Sequence, residues 1–259
     1  TLSYDDGVSA DRRLIGLFNR YGLKGAFNLN NPFYGEGKHG TMSEDEAFKT
    51  YKDSGQEIAL HGDKHIFLTG VTLPEAASEV LDNRNYLERT YNQIVRGMAY
   101  AYGDFNPKVK DMLAALGVIY ARTTKSTHGF SLPSDWLELN PTCHHTEEVF
   151  QELTERFLSA DPDAEFKKRG PLLYYVWGHS YEFDDNGNWN IIEDFAKSVS
   201  NRKDIWYATG TEIYGYVKAF ESLVYSADGE MVYNPSHIPV WIDARGRTYM
   251  IGAGATVKL

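Results

Sequence analysis

With 259 residues, 42% of them hydrophobic and 24% charged, the chain has an ordinary globular composition and room for one large α/β domain. A formal net charge of −10 with no basic run argues against nucleic acid as a partner, and no apolar stretch approaches the roughly 18 residues that span a membrane. The single cysteine, Cys143, excludes an intrachain disulfide and leaves the compartment open: secreted, periplasmic or cell-surface if a leader was removed, otherwise cytoplasmic.

Thr1 to Tyr4 alternates as a short strand and runs into Asp5-Asp6-Gly7, two adjacent carboxylates before a residue that lets the backbone turn. Leu14, Leu17, Phe18 and Tyr21 then recur at helical spacing, with Gly22 as the stop. Lys24 to Leu29 reads as a strand. Ser43 with Glu46 forms a capping box for a helix to Asp53, and Gln56 to Leu60 is a strand that ends at His61. Pro74 opens a long helix whose apolar face carries Ala77, Val80, Leu87, Tyr91 and Ile94.

The theme repeats with a strand at Gly97 to Tyr100, a helix from Asn106-Pro107 to Leu116 and a strand at Val118 to Arg122. Thr123 to Cys143 is long and irregular, with a short strand expected at Trp136 to Leu139. A helix at Glu147 to Leu158, an apolar strand at Leu172 to Trp177, a helix at Asn190 to Val199, a strand at Ile205 to Ala208 and a helix at Thr211 to Phe220 complete the series. After Ser222, short runs are separated by Asp228-Gly229, Asn234-Pro235, Arg245-Gly246 and Gly252-Ala253-Gly254, which is the pattern of hairpins.

Strands alternating with helices at this spacing predict an irregular (β/α) barrel of seven or eight parallel strands over 1–221, with a small antiparallel β appendage over 222–259 packed on it. Asp5 and Asp6, His61, Tyr102 and His179 each follow a different strand. In a parallel barrel those ends share the face that carries active sites. Asp6 with His61 and His65 is a three-ligand set of the kind that leaves a coordination position open for water. Taken singly, Asp5-Asp6-Gly7 is a turn, the two histidines are surface imidazoles and His179 is a structural histidine. Together, polar groups after successive apolar strands are a poor accident.

The ordered stretches Ser3-Tyr4-Asp5-Asp6-Gly7, His61-Gly62-Asp63-Lys64-His65, Ala99-Tyr100-Ala101-Tyr102-Gly103, Asp135-Trp136 and Trp177-Gly178-His179 resemble the motifs of the NodB-type polysaccharide deacetylases. The resemblance implies a divalent metal ion on Asp6, His61 and His65, zinc first, with cobalt, manganese or nickel as alternatives. It implies Asp5 as the general base and His179 as the general acid. It also implies an oxyanion donor at the Tyr102 backbone, Trp136 lining the groove, and Asp135 orienting the acid. Zinc lowers the pKa of bound water to about 7, within reach of a neighbouring carboxylate.

The implied activity is hydrolysis of acetyl groups, N-acetyl before O-acetyl, from an acetylated glycan; the oligomeric state is left open. The chain departs from the family at Ala99, where an Arg commonly pairs with the base, at Ala101, which replaces a proline, and at Gly62, which replaces Ser or Thr. The missing Arg keeps a catalytically lapsed glycan-binding protein as an alternative, beside a small-amide hydrolase of the same fold. His144-His145 beside Cys143 reads as loop, since contiguous residues lack metal-site spacing, and Asp184-Asp185-Asn186-Gly187 reads as a turn.

Overall fold

The computed structural model describes residues 1–31, 40, 42–161 and 170–259. The chain divides into two compact units, Thr1–Gly210 and Thr211–Leu259. This boundary falls ahead of the last long helix, which therefore belongs with the hairpins and not with the barrel as expected.

The first unit is an irregular (β/α) barrel of seven parallel strands. These are β1 (Leu2–Asp5), β2 (Gly25–Leu29), β3 (Glu57–Leu60), β4 (Gly97–Ala99), β5 (Tyr120–Arg122), β6 (Cys143–His144) and β7 (Val176–Gly178). Their order is β5-β4-β3-β2-β1-β7-β6, which puts β1 inside the sheet with β2 and β7 as neighbours. The helices are α1 (Asp11–Tyr21), α2 (Glu44–Tyr51), α3 (Leu73–Tyr91), α4 (Pro107–Ala115), α5 (Phe150–Leu158), α6 (Tyr181–Asp185) and α7 (Asn190–Val199).

The local rules explain most of these bounds. In α1 the expected stripe buries Leu14, Leu17 and Phe18 together with Ile15, and Leu23 N–H returns to the Phe18 carbonyl at 2.9 Å across a left-handed Gly22. Full burial of each such side chain contributes about 1.5–3 kcal/mol. Helix α2 begins in the expected box, with Ser43 N–H donating to Glu46 Oε2 at 3.0 Å. Helix α3 buries Ala76, Val80, Leu87 and Tyr91, and also the polar Asn83 in the same stripe.

Ile94, expected on the α3 stripe, lies past the helix end and is exposed, and three strand expectations fail, each for a reason visible in the hydrogen bonds. Ile205 to Ala208 forms no strand; Tyr207 instead ties back through its hydroxyl, which donates to Val199 O at 2.6 Å and accepts from Arg202 N at 3.0 Å. Trp136–Glu138 is a 3₁₀ turn, with only a single parallel bridge between Arg122 and Leu139 beyond it. Strand β7 starts late because Leu173 N–H donates to Phe130 O at 2.7 Å and Tyr175 O accepts from Thr142 N at 2.7 Å, outside any regular ladder.

The stretch read as irregular also hides β6. Leu139 N–H bonds Ala121 O at 2.9 Å on one edge of the sheet, and four residues later Cys143 and His144 pair with Val176 and Trp177 on the other. One short segment thus joins the two edges.

The second unit holds α8 (Gly210–Glu221, all but its first residue) and the strands β8 (Val224–Tyr225), β9 (Met231–Tyr233), β10 (Val240–Ala244), β11 (Arg247–Ile251) and β12 (Thr256–Lys258). Strands β10 and β11 form a hairpin closed by Arg245-Gly246, both left-handed, which is the two-residue turn that matches strand twist. Strands β12, β9 and β8 form a second antiparallel sheet. Ala219, Val232, Val240, Ile242 and Ile251 make this unit's core.

Candidate functional site

Because the barrel strands are parallel, the ends of β1, β3, β4, β5, β6 and β7 open on one face. Strand β1 ends at Asp5, and the chain then turns through two left-handed residues, Asp6 (φ 79°) and Gly7 (φ 68°). Glycine adopts that conformation freely and aspartate tolerates it better than most residues. The turn sends two adjacent carboxylates to different places: Asp5 is buried, whereas Asp6 is partly exposed.

Asp5 Oδ1 accepts from Asn28 Nδ2 at 2.8 Å, and Oδ2 is paired with Arg122 Nη2. Burial would raise this carboxyl, but the Arg122 guanidinium, helped by His61 and His179, outweighs it and holds Asp5 at about 2. Arg122 is itself fully buried, with its guanidinium 4.3 Å above the Trp177 ring.

His61 is positioned from three sides. Its backbone N–H and that of Gly62 donate to Asn83 Oδ1 at 3.1 and 3.2 Å, and its ring Nδ1–H donates to Ala99 O at 2.9 Å. A carbonyl can only accept, so Nε2 carries the lone pair. Nε2 lies 3.1 Å from His65 Nε2 and 3.5 Å from Asp6 Oδ1, and His65 Nε2 lies 3.7 Å from the same oxygen. Burial lowers the His61 imidazole, but Asp5 and Asp6 outweigh it and hold it above its ordinary value; burial and His61 push His65 below.

Two imidazole nitrogens 3.1 Å apart either share a proton in an N–H···N hydrogen bond or flank a cation. Ligand atoms around a four-coordinate ion with bonds of about 2.0–2.2 Å stand about 3.3–3.6 Å apart, close to the separations found here. The donor set therefore fits a divalent cation.

On the opposite side of Asp6, His179 Nε2 lies 3.8 Å from Oδ2. The His179 ring follows β7, and a Cβ at the preceding Gly178 would fall inside the His145 ring, so only glycine fits there. Tyr102, left-handed at φ 57°, stacks on Phe67 with ring centroids 4.1 Å apart and meets His65 edge-on at 4.4 Å. Both Phe67 and Tyr102 are more than half exposed.

Residues 1–121 match the family model for polysaccharide deacetylase. The match spans 121 of the 259 residues, and over them the chain is similar to that family. That family consists of hydrolases that cut acetyl amide or ester bonds. No curated protein matches the chain by sequence. Among solved structures, a Mycobacterium smegmatis protein described as a polysaccharide deacetylase superposes at a TM-score of 0.59, with 20% identity over 82% of this chain and 78% of its own. The chitin deacetylase of the fungal pathogen Colletotrichum lindemuthianum gives 0.54, with 16% identity over 82% and 85%. The chain spans 61% of the length of the Streptococcus pyogenes deacetylase PplD, solved in complex with acetate, at 21% identity over 53% of this chain and a TM-score of 0.48. The first two of these likenesses establish the fold.

Against the deacetylase pattern, the departures at Ala99 and Gly62 have local explanations, and Asp135, which matches the pattern, is engaged elsewhere. The guanidinium missing at Ala99 is supplied by Arg122, which lies directly across from Ala99 in the pairing of β4 with β5. Gly62 is left-handed at φ 90°, and a Cβ there would come within 2.9 Å of Glu79 Oε1, which already accepts from Lys64 N at 2.6 Å. Asp135 is exposed, accepts from Lys110 Nζ at 2.8 Å and caps the 3₁₀ turn. Asp135 is thus bound to Lys110, and the carboxylate that reaches His179 is Glu182, with Oε2 3.5 Å from Nδ1. Trp136 sits half-buried in the same turn as Asp135.

His144 is not a loop residue, since it ends β6, whereas His145 stands in the turn that follows and is buried against Tyr4 and Phe183. Arg122, Asn83 and Glu182 were given no role in the sequence, and Trp177 was read only as part of the motif ahead of His179. Asn83 had a signal, a polar residue inside an apolar helical stripe. Glu182 had none, because the carboxylate becomes meaningful only when α6 folds back beside β6.

Proposed function

We propose that the protein is a metal-dependent hydrolase that removes acetyl groups from a polysaccharide, N-acetyl rather than O-acetyl. The carrying observation is the arrangement around Asp6, with His61 and His65 at Oδ1 and His179 near Oδ2. Asp6, His61 and His65 would hold the ion, and nitrogen and oxygen donors in that number suit zinc. When bound, such an ion supplies Lewis acidity toward a carbonyl and toward water.

The chain's own groups fit the remaining work. Asp5, kept ionised by Arg122, is the proton acceptor; at about 2 it is a weak base, matched to a strongly acidified water. Burial lowers the His179 imidazole, but Glu182, Asp5 and Asp6 outweigh it and hold it above its ordinary value, so it can carry a proton at neutral pH and give it to a leaving amine. An amine needs that proton far more than an alkoxide on a good leaving group does, which favours the amide reading. The Tyr102 backbone N–H is the proposed oxyanion donor, and the Phe67–Tyr102 stack and Trp136 are aromatic surfaces suited to sugar rings. The lapsed-enzyme alternative rested on an absent arginine, and Arg122 removes that ground.

The test is metal content together with acetate release. Purified protein should hold about one zinc per chain, Asp6→Ala and His65→Ala should lose it, and acetate should be freed from N-acetylglucosamine oligomers. Zinc retained at full stoichiometry in both variants sinks the reading; release from small acetamides alone moves it to the small-amide alternative.

A further inference from the structure

One carboxylate oxygen, Glu182 Oε2, gathers three imidazoles. It lies 3.3 Å from His144 Nε2, 3.4 Å from His145 Nε2 and 3.5 Å from His179 Nδ1, and it accepts the His179 backbone N–H at 3.0 Å. The His144 tautomer follows from its remaining contacts. His144 Nδ1 accepts the Thr146 backbone N–H at 3.2 Å, and an amide can only donate, so the His144 proton is on Nε2, facing Glu182. His145 packs its Nδ1 side against Gly178 and turns Nε2 toward the same carboxylate oxygen. Both histidines are packed as a wall, with ring centroids 4.7 Å apart and 28° between their planes.

We propose that Glu182 is a positioning residue for His179: it takes the Nδ1–H, so that Nε2 is the nitrogen presented to Asp6 and the reacting bond, and His144 and His145 pin the carboxylate in that place. The proposal rests on the hydrolase reading. Burial would raise the Glu182 carboxyl, but the His144 and His179 imidazoles beside it hold it well below its ordinary range, so it remains an acceptor. The cluster also has the composition of a metal site, since its ligand atoms lie within 4.8 Å of one another. A cation there would need the lone pair of His144 Nε2, and the Thr146 contact puts the proton on that atom.

The experiment compares leaving groups in the zinc-loaded full chain. In Glu182→Gln, kcat on an N-acetylglucosamine oligomer should fall about 100-fold at nearly unchanged KM, because its amine must be protonated as it leaves. On p-nitrophenyl acetate, whose phenolate leaves without a proton, the change should stay within about threefold. Nitrogen-15 NMR of His179 should report Nδ1–H in the native chain and a mixture of tautomers in Glu182→Gln. Glu182→Asp, which keeps the charge, should recover part of the amide turnover and covers the case in which Glu182→Gln fails to fold.

Equal losses on both substrates with an unchanged His179 tautomer would make Glu182 merely structural and overturn the proposal. So would two zinc ions in the native chain with one lost in Glu182→Gln. If the native chain cleaves neither substrate, the hydrolase reading fails, and the tautomer alone then decides whether Glu182 positions His179.

Discussion

The two halves of the site, on either side of Asp6, are built differently. The metal half takes Asp6, His61 and His65 from turns that directly follow β1 and β3, and each is fixed mainly by backbone: two left-handed residues after Asp5, and a histidine tied to Ala99 O and Asn83. The acid half takes one residue after β7 and holds it by side chains drawn from β6 and α6. Groups positioned by backbone stand at strand ends that a sequence displays, whereas groups positioned by other side chains depend on what the fold brings beside them.

Arg122 joins the halves, and its loss is the strongest way to break the comparison. Arg122→Ala leaves the Asp5 carboxylate buried and unpaired, at an expected cost of about 3–5 kcal/mol in chemical denaturation and with loss of acetate release. Placing the guanidinium on the neighbouring strand, as Ala99→Arg with Arg122→Ala, should recover part of both. No recovery would mean that the two positions are not equivalent in space.

Asp11 offers a pH test in the same region. Burial raises this carboxyl to about 7, against the hydrogen bonds donated by Ser180 and Tyr51. The folded state therefore binds the proton more tightly than the unfolded one, so stabilisation is full below about pH 4 and is lost as pH rises through about 7. Asp11→Asn should flatten that decline, a difference of roughly 4 kcal/mol between the two ends, read from denaturation curves across pH. His145, which burial pushes down to about 3, acts in the opposite direction: its contribution is present above about pH 6.5 and is lost on acidification.

Gly178→Ala sharpens the contrast at intermediate size. Its methyl group would enter the His145 ring, and such overpacking costs typically about 1–3 kcal/mol. The acid half should suffer and the metal half should not, so zinc content is expected to stay whole while amide turnover drops. The smallest effect is expected for Asp135→Asn, within about 0.5 kcal/mol and with turnover unchanged, because its partner is the lysine at 110 on an exposed face. A large loss of turnover there would restore Asp135 to the site.

Much of the fold was legible because it rests on period and punctuation: the α1 stripe closed by Gly22, the Ser43–Glu46 box and the Arg245-Gly246 hairpin all appear where the residues place them. What was not legible needed a neighbour. Arg122 reads as the end of a strand until Ala99 is known to lie beside it. Cys143-His144 is too short to read as a strand, and Ile205 to Ala208 has apolar character without a partner. Asp135, legible by resemblance, went to Lys110, and no pattern in the chain announces that lysine.

The segment that joins the barrel's two edges also bears on self-association. Strand edges present unpaired amides and carbonyls, and such edges template pairing with other chains. Here Leu139 occupies the backbone of β5, while Thr127 and His128 donate to Pro141 and Thr142 at 2.9 Å beside β6. Irregular backbone thus shields both margins of a parallel sheet, and substitutions that loosen residues 139–142 would turn a closed surface into an adhesive one.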